Sequence, residues 1–186
     1  MTAPERRPPA ERLEGPLYLD TSALVKLYIS EPESSWLDRA LRGRRDLIVS
    51  DLAVTELASA LGRRCRELVL TAPVAARIYR RVLSDVGEEL LRRVDLTPEV
   101  HREAERMLLS SSLVPLRSLD ALHIALAATD EVRTVVTFDR TLARAAASFG
   151  ILTAPGLPAG ARPKRRSLPG APPRGPARQP SPPAVR

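Results

Sequence analysis

Three acidic side chains stand where short apolar segments end or a helix begins, and a fourth lies on the first turns of a predicted helix. Asp20 closes Leu17-Tyr-Leu-Asp20, Glu56 lies within Ser50-Asp-Leu-Ala-Val-Thr-Glu56, Asp120 follows Ser118-Leu, and Asp139 closes Val136-Thr-Phe-Asp139. Carboxylates gathered around one crevice raise one another's pKa, so such a set makes physical sense when a cation neutralises it. Oxygen donors with neither cysteine nor histidine among them suit Mg²⁺, with Mn²⁺ as the second choice. Both ions bind phosphate oxygens and activate water, so the chemistry this set points to is phosphodiester hydrolysis.

Taken singly, these residues have ordinary explanations. Asp20 and Asp139 are acceptable helix N-caps, Asp120 complements a helix dipole, and Glu56 could sit on a solvated helix face. A nuclease acting through the RNA 2′-hydroxyl more often carries a histidine pair, and only His101 and His123 are available. His101 reads as exposed, and His123, one helical turn from Asp120, reads first as a packing residue. The single cysteine, Cys65, rules out an internal disulfide and a cysteine-rich zinc site. A phosphatase using Asp20 as nucleophile usually has a second aspartate two residues on, where this chain has Ser22. No glycine-rich loop follows the first apolar run, which weakens a nucleotide-binding reading. A rival of another class is a noncatalytic module that binds RNA or protein without cutting.

The elements that must position these side chains alternate along the chain. Leu17 to Leu19 reads as a buried strand, followed by a helix through Ala23, Leu24, Leu27 and Tyr28. A second helix is predicted over Glu33 to Leu41, then a strand at Leu47 to Val49 with Ser50 and Asp51 as candidate caps of the next helix. Val54, Leu57, Ala58 and Leu61 recur there at helical spacing, with Glu56 at the edge of the stripe. Thr71 before Pro73 and Thr97 before Pro98 signal two further helix starts. Leu90 to Val94 is a weak strand candidate between them, and Ser118 is a candidate cap for a helix holding Asp120. Val132 to Thr137 is β-branched and reads as a strand, with a last helix running from Asp139 to about Phe149. Such alternation predicts an α/β fold: a small central parallel sheet with helices on both faces. Ligands of open α/β sheets sit beyond the carboxyl ends of the strands, which is where Asp20 and Asp139 fall.

Aromatic residues make up 3% of the chain, so the core must come from Leu, Val, Ile and Ala. Trp36 and Tyr28 read as core or dimer contacts ahead of base-stacking platforms, and the Arg63, Arg64, Arg66 run, which could track phosphates, reads first as a solvated helix face. The net charge of +7 points to nucleic acid at first sight, yet from Pro155 onward there are seven basic residues and no acidic ones. The rest of the chain is formally neutral. Residues 1–15 read as a flexible extension, 16–154 as the folded domain and 155–186 as a disordered basic, proline-rich tail. The tail could grip RNA phosphates or be an inert low-complexity extension. No apolar run reaches membrane-spanning length and the opening residues lack the apolar stretch of a signal peptide, so the expected location is the cytoplasm, without membrane attachment.

The stretch Leu17-Tyr-Leu-Asp-Thr-Ser-Ala-Leu-Val-Lys-Leu-Tyr28 resembles the opening of a PIN domain, in particular that of the VapC toxins of bacterial toxin-antitoxin pairs. Ser50 to Leu57 fits the second acidic motif of that family, Ser118 to Ala127 the third and Val136 to Asp139 the fourth. The resemblance covers about Leu17 to Pro155. It implies an Mg²⁺-dependent endoribonuclease, usually a homodimer, silenced by a cognate antitoxin whose C-terminal segment covers the groove. It makes Asp20, Glu56, Asp120 and Asp139 the metal-site carboxylates, with Asp20 and Asp120 foremost. Ser22 and Thr137 match small hydroxyl positions beside the site, although Ser22 could equally be a capping residue.

Overall fold

The computed structural model describes residues 13–111, 114–130 and 132–156. The expectations for the N-terminal extension and the basic tail concern residues that lie almost entirely outside that range. Five strands form one parallel sheet: β1 (Leu17–Leu19), β2 (Leu47–Ser50), β3 (Arg92–Val94), β4 (Thr134–Val136) and β5 (Leu152–Ala154), in the order β3-β2-β1-β4-β5. The chain leaves β1 in one direction to build β2 and β3, and returns to its other side to build β4 and β5. The order therefore reverses at β1, the position at which crevices open beyond strand ends in doubly wound folds.

The connections are α1 (Thr21–Tyr28), α2 (Ser34–Leu41), α3 (Asp51–Arg66), α4 (Ala72–Gly87), α5 (Pro98–Ser110), α6 (Ser118–Thr129) and α7 (Arg140–Ser148). Side chains of a strand alternate between faces, and here they feed two cores. Leu17, Leu19, Leu47, Val49 and Val136 pack with α1 to α4, whereas Tyr18, Ile48 and Val135 pack with α5 to α7. The three-layer architecture expected from the sequence is the one found. The helix α6 lies between α5 and α7, and Ala121, His123, Ile124, Ala125, Leu126 and Ala127 are all buried on it. Any polar side chain on such a helix must find a partner inside the protein.

Several local expectations need correction. Ser118 is the first residue of α6 rather than its cap; Arg117 holds the cap position, without a side-chain bond. The helix starts signalled at Thr71 and Thr97 are both found: Thr97 caps α5 through Val100 N, and Thr71 holds the cap position of α4 without a side-chain bond. Glu33 precedes α2 in the left-handed region (φ 69°) instead of opening the helix. The charged strand β3 exists because it is an edge: it pairs only with β2, and Arg92 and Arg93 stay exposed, reaching Asp130 at 3.0 Å and Asp51 at 2.5 Å. The strand β5 was not expected, since its three residues carry no pattern of their own.

Tyr28, expected as a packing contact, also makes a polar strut: its hydroxyl donates to Asp85 Oδ2 at 2.6 Å and so ties α1 to α4. Asp85 is buried, with Arg81 2.9 Å from its other oxygen. Removing the phenol hydroxyl leaves a buried carboxylate oxygen without its donor. Tyr28→Phe is expected to destabilise the fold by about 1–2 kcal/mol, read as a lowered urea midpoint; an unchanged midpoint would show that the strut adds nothing.

Candidate active site

Asp20 sits at the C-terminal end of β1 and is buried. Its Oδ1 accepts from Ala23 N at 2.9 Å, capping α1, and from Ser22 Oγ at 2.7 Å, while its Oδ2 accepts from Thr137 Oγ1 at 2.7 Å. Ser22 Oγ also accepts from Phe138 N at 2.7 Å, and Thr137 Oγ1 accepts from Asp139 N at 3.0 Å. These bonds stitch the ends of β1 and β4 together and fix the loop that leads to Asp139. Asp139 is exposed and caps α7 through bonds from Thr141 N and Leu142 N. Burial pushes the Asp20 carboxyl above its ordinary value, against the pull of its hydrogen bonds.

Asp120 enters from the opposite side, in the first turn of α6. It is buried, and its Oδ2 has no hydrogen-bond partner among the described residues. Desolvation, and then the Asp139 charge, raise its pKa, with Arg117 opposing them. Glu56 projects from α3 and is half-buried; Thr21 Oγ1 donates to its Oε2, and His123 Nε2 lies 2.9 Å from the same oxygen. Burial alone would raise the Glu56 pKa, but the bonds from His123 and Thr21 hold it below the ordinary glutamate value.

All four carboxylates line one open cleft of about 900 Å³, together with Ser22, His123 and Thr137. They form a graded set: Asp20 is locked by three donors, Glu56 is held by two, and Asp120 is left with an unpartnered oxygen. Among the described residues no three His, Cys, Asp or Glu side chains stand close enough to chelate an ion on their own. A magnesium ion is usually held by one or two carboxylates plus waters and substrate phosphate. An orphaned buried carboxylate oxygen beside further oxygen donors fits that mode of binding. The cleft also carries cations. Lys26 is engaged by Glu31 at 3.4 Å and Glu33 at 3.0 Å, and Arg64 by Glu31. Arg63, Arg117 and Arg140 are exposed and make no ion pair among the described residues.

The structure thus brings Asp20, Ser22, Glu56, Asp120, Thr137 and Asp139 to one place. His123 is more than a packing residue: it bonds to Glu56 on one side and to Tyr18 on the other. Arg63 and Arg64 line the cleft, Arg63 at an exposed position. The signal that could have exposed His123 is the apolar character of its helix, in which a lone imidazole requires polar partners.

A family model described as the PIN domain matches residues 17–148. Ribonuclease VapC46 of Mycobacterium tuberculosis is 35% identical over 140 residues, covering 73% of this chain and 93% of the relative. Ribonuclease VapC47 of the same organism is 33% identical over 146 residues, covering 74% of this chain and 95% of the relative. Among solved structures, M. tuberculosis VapC20, a toxin described as cleaving the sarcin-ricin loop, superposes with a TM-score of 0.58 at 17% identity. That superposition covers 74% of this chain and 97% of VapC20 and speaks to the fold alone.

The folded-state pKa of Asp120 lies above its unfolded value, so its ionisation opposes folding. That penalty is absent below the unfolded carboxylate pKa of about 3.9 and complete once pH has passed the raised folded value. In metal-free protein at neutral pH, Asp120→Asn is therefore expected to raise Tm, on the order of 2–4 °C. Asp20→Ala removes a helix cap and should instead cost about 1–2 kcal/mol. Calorimetry of the two variants checks the contrast; a lowered Tm for Asp120→Asn would refute the repulsion described.

Proposed function

The chain belongs to the PIN domain family, alongside the VapC ribonucleases, and on that premise we propose that it is an Mg²⁺-dependent endoribonuclease, the toxin of a toxin-antitoxin pair. The observation that carries this reading is the unpartnered, buried Oδ2 of Asp120, a residue that lines one cleft with Asp20, Glu56 and Asp139. Asp20 and Asp120 would hold the cation, with Glu56 and Asp139 completing its surroundings directly or through water. When bound, the cation would supply an acidified water as nucleophile and positive charge for the phosphate oxygens. Mn²⁺ has the same oxygen preference and could replace it.

The chain's own residues have separable tasks. Thr137 and Ser22 hold Asp20 in a single rotamer, so the carboxylate needs little reorganisation when an RNA phosphate arrives. The N-termini of α1, α6 and α7 all open on the cleft and present their positive ends to an incoming anion. Arg63, Arg117 and Arg140 can pair with backbone phosphates on either side of the scissile one, because no acidic neighbour claims them among the described residues. The partner that silences the site would be an antitoxin segment lying in this cleft; an arginine from it could take the place of the cation by bidentate bonds to the carboxylates. A homodimer acting in the cytoplasm completes the reading. No helix of the described residues is long and apolar enough to cross a membrane.

Cleavage of a panel of structured RNAs should require Mg²⁺ or Mn²⁺, stop with chelator, and fall to background in Asp120→Asn while circular dichroism stays unchanged. RNA binding without metal-dependent cleavage would support the noncatalytic module instead. Replacing Arg117 and Arg140 by alanine should weaken RNA binding and lower the slope of log affinity against log salt by about 0.7 per lost contact. An unaltered slope would remove these arginines from the RNA path.

A further inference from the structure

The imidazole of His123 stands between two elements that the catalytic reading leaves unconnected. Its Nδ1 is 2.6 Å from the hydroxyl of Tyr18, in the middle of β1, and its Nε2 is 2.9 Å from Glu56 Oε2, on α3. Tyr18 is fully buried, and its hydroxyl is also 2.7 Å from Ser50 Oγ, which accepts from Ala53 N at 3.1 Å. Five groups from the sheet, α3 and α6 therefore form a continuous chain from a helix cap to the cleft.

Counting donors and acceptors gives the chain a direction. Ser50 Oγ receives the Ala53 N–H, and among the described residues the only acceptor within reach of its own proton is the Tyr18 oxygen. Tyr18 then has one proton to give, and His123 Nδ1 must be bare to take it. The remaining imidazole proton is on Nε2, aimed at the Glu56 carboxylate. Reversing the order would leave a bare Nε2 lone pair facing a carboxylate, or would leave the Ser50 proton without an acceptor among the described residues. Burial keeps the Tyr18 phenol protonated well above its ordinary range, so it stays a donor.

We propose that His123 is a positioning residue, which as the Nε2–H tautomer accepts from Tyr18 and donates to Glu56 and so holds that carboxylate at its place in the cleft. The donors from His123 and Thr21 both address Oε2, and Oε1 has no protein donor among the described residues, so one oxygen is anchored and the other remains for the site. A glutamate side chain has three rotatable bonds, and on α3 it would otherwise sample solvent-facing rotamers. The tautomer follows from the fold alone; its consequence for cleavage rests on the endoribonuclease reading.

The test uses full-length protein labelled with [¹⁵N]histidine. At neutral pH a long-range ¹H–¹⁵N correlation should show His123 with unprotonated Nδ1 and protonated Nε2, while exposed His101 averages between tautomers. Tyr18→Phe should release this lock. In the cleavage assay His123→Asn, which cannot reach Glu56, should lower kcat about tenfold with KM little changed. His123→Gln places its amide N–H where Nε2–H stood and should recover most of the loss. A His123 protonated at Nδ1, or Asn and Gln variants equally impaired, would overturn the proposal. Wild-type protein that shows the tautomer but cuts no RNA would refute the role in cleavage and leave the hydrogen-bond chain standing.

Discussion

Negative charge gathered in a partly dry cleft is the constraint on which the rest of this structure turns. Carboxylates at the carboxyl ends of strands and the starts of helices repel one another, and desolvation adds to the cost of ionising them. The fold offsets part of that cost by position. Asp20 and Asp139 cap α1 and α7, and Asp120 lies in the first turn of α6, so three helix N-termini place their first-turn N–H groups and dipole ends beside the acids. The same geometry that lets Asp20 and Asp139 cap their helices is the one the proposed cation site would use.

Much of this geometry was legible in the chain. Short β-branched or leucine-rich runs ending in Asp20 and Asp139 mark strand ends, and helix-period stripes after them demand parallel pairing with crossovers. The order and spacing of the four acidic motifs carried the site. The parts that escaped are those made by contacts between distant segments. Tyr18 and His123 are 105 residues apart, and nothing local to Leu17-Tyr-Leu19 announces that the phenol has a partner. The weakly patterned β3 and β5 form because β2 and β4 offer them an edge, and Leu152 remains half exposed in its strand. The start of α6 was misplaced because Ser118 has the chemistry of a cap while the backbone turns one residue earlier.

Net charge was the least informative global number, since the excess lies beyond Pro155 and the folded part is balanced. What matters at the cleft is which cations are already committed. Glu31 and Glu33 hold Lys26, and Glu31 holds Arg64, in a network that joins the α1–α2 turn to α3. Lys26 also lies over the Phe138 ring, 5.0 Å from its centroid, and Trp36 meets that ring edge-on. This cluster braces the loop after β4 through Phe138. The exposed arginines at the rim carry no such structural duty, which leaves them available for an anionic ligand.

The carboxylates of the cleft are not equivalent, and the difference follows from which donors reach them. Glu56 is kept easily ionised by His123 and Thr21, whereas Asp120, short of donors and close to Asp139, holds its proton more tightly. Adding hydrogen-bond donors around Asp120 would relieve the strain of burying it, but it would also satisfy the oxygen that a cation or an antitoxin guanidinium could otherwise claim. An oxygen that already accepts hydrogen bonds ligates a cation through its remaining lone pair, whereas an oxygen without a partner has nothing to share or displace. The unfinished hydrogen bonding of Asp120 is thus the counterpart of the finished hydrogen bonding of Asp20: in the proposed reading Asp20 is fixed in place before a cation arrives, and Asp120 would meet it with an oxygen that has nothing to displace.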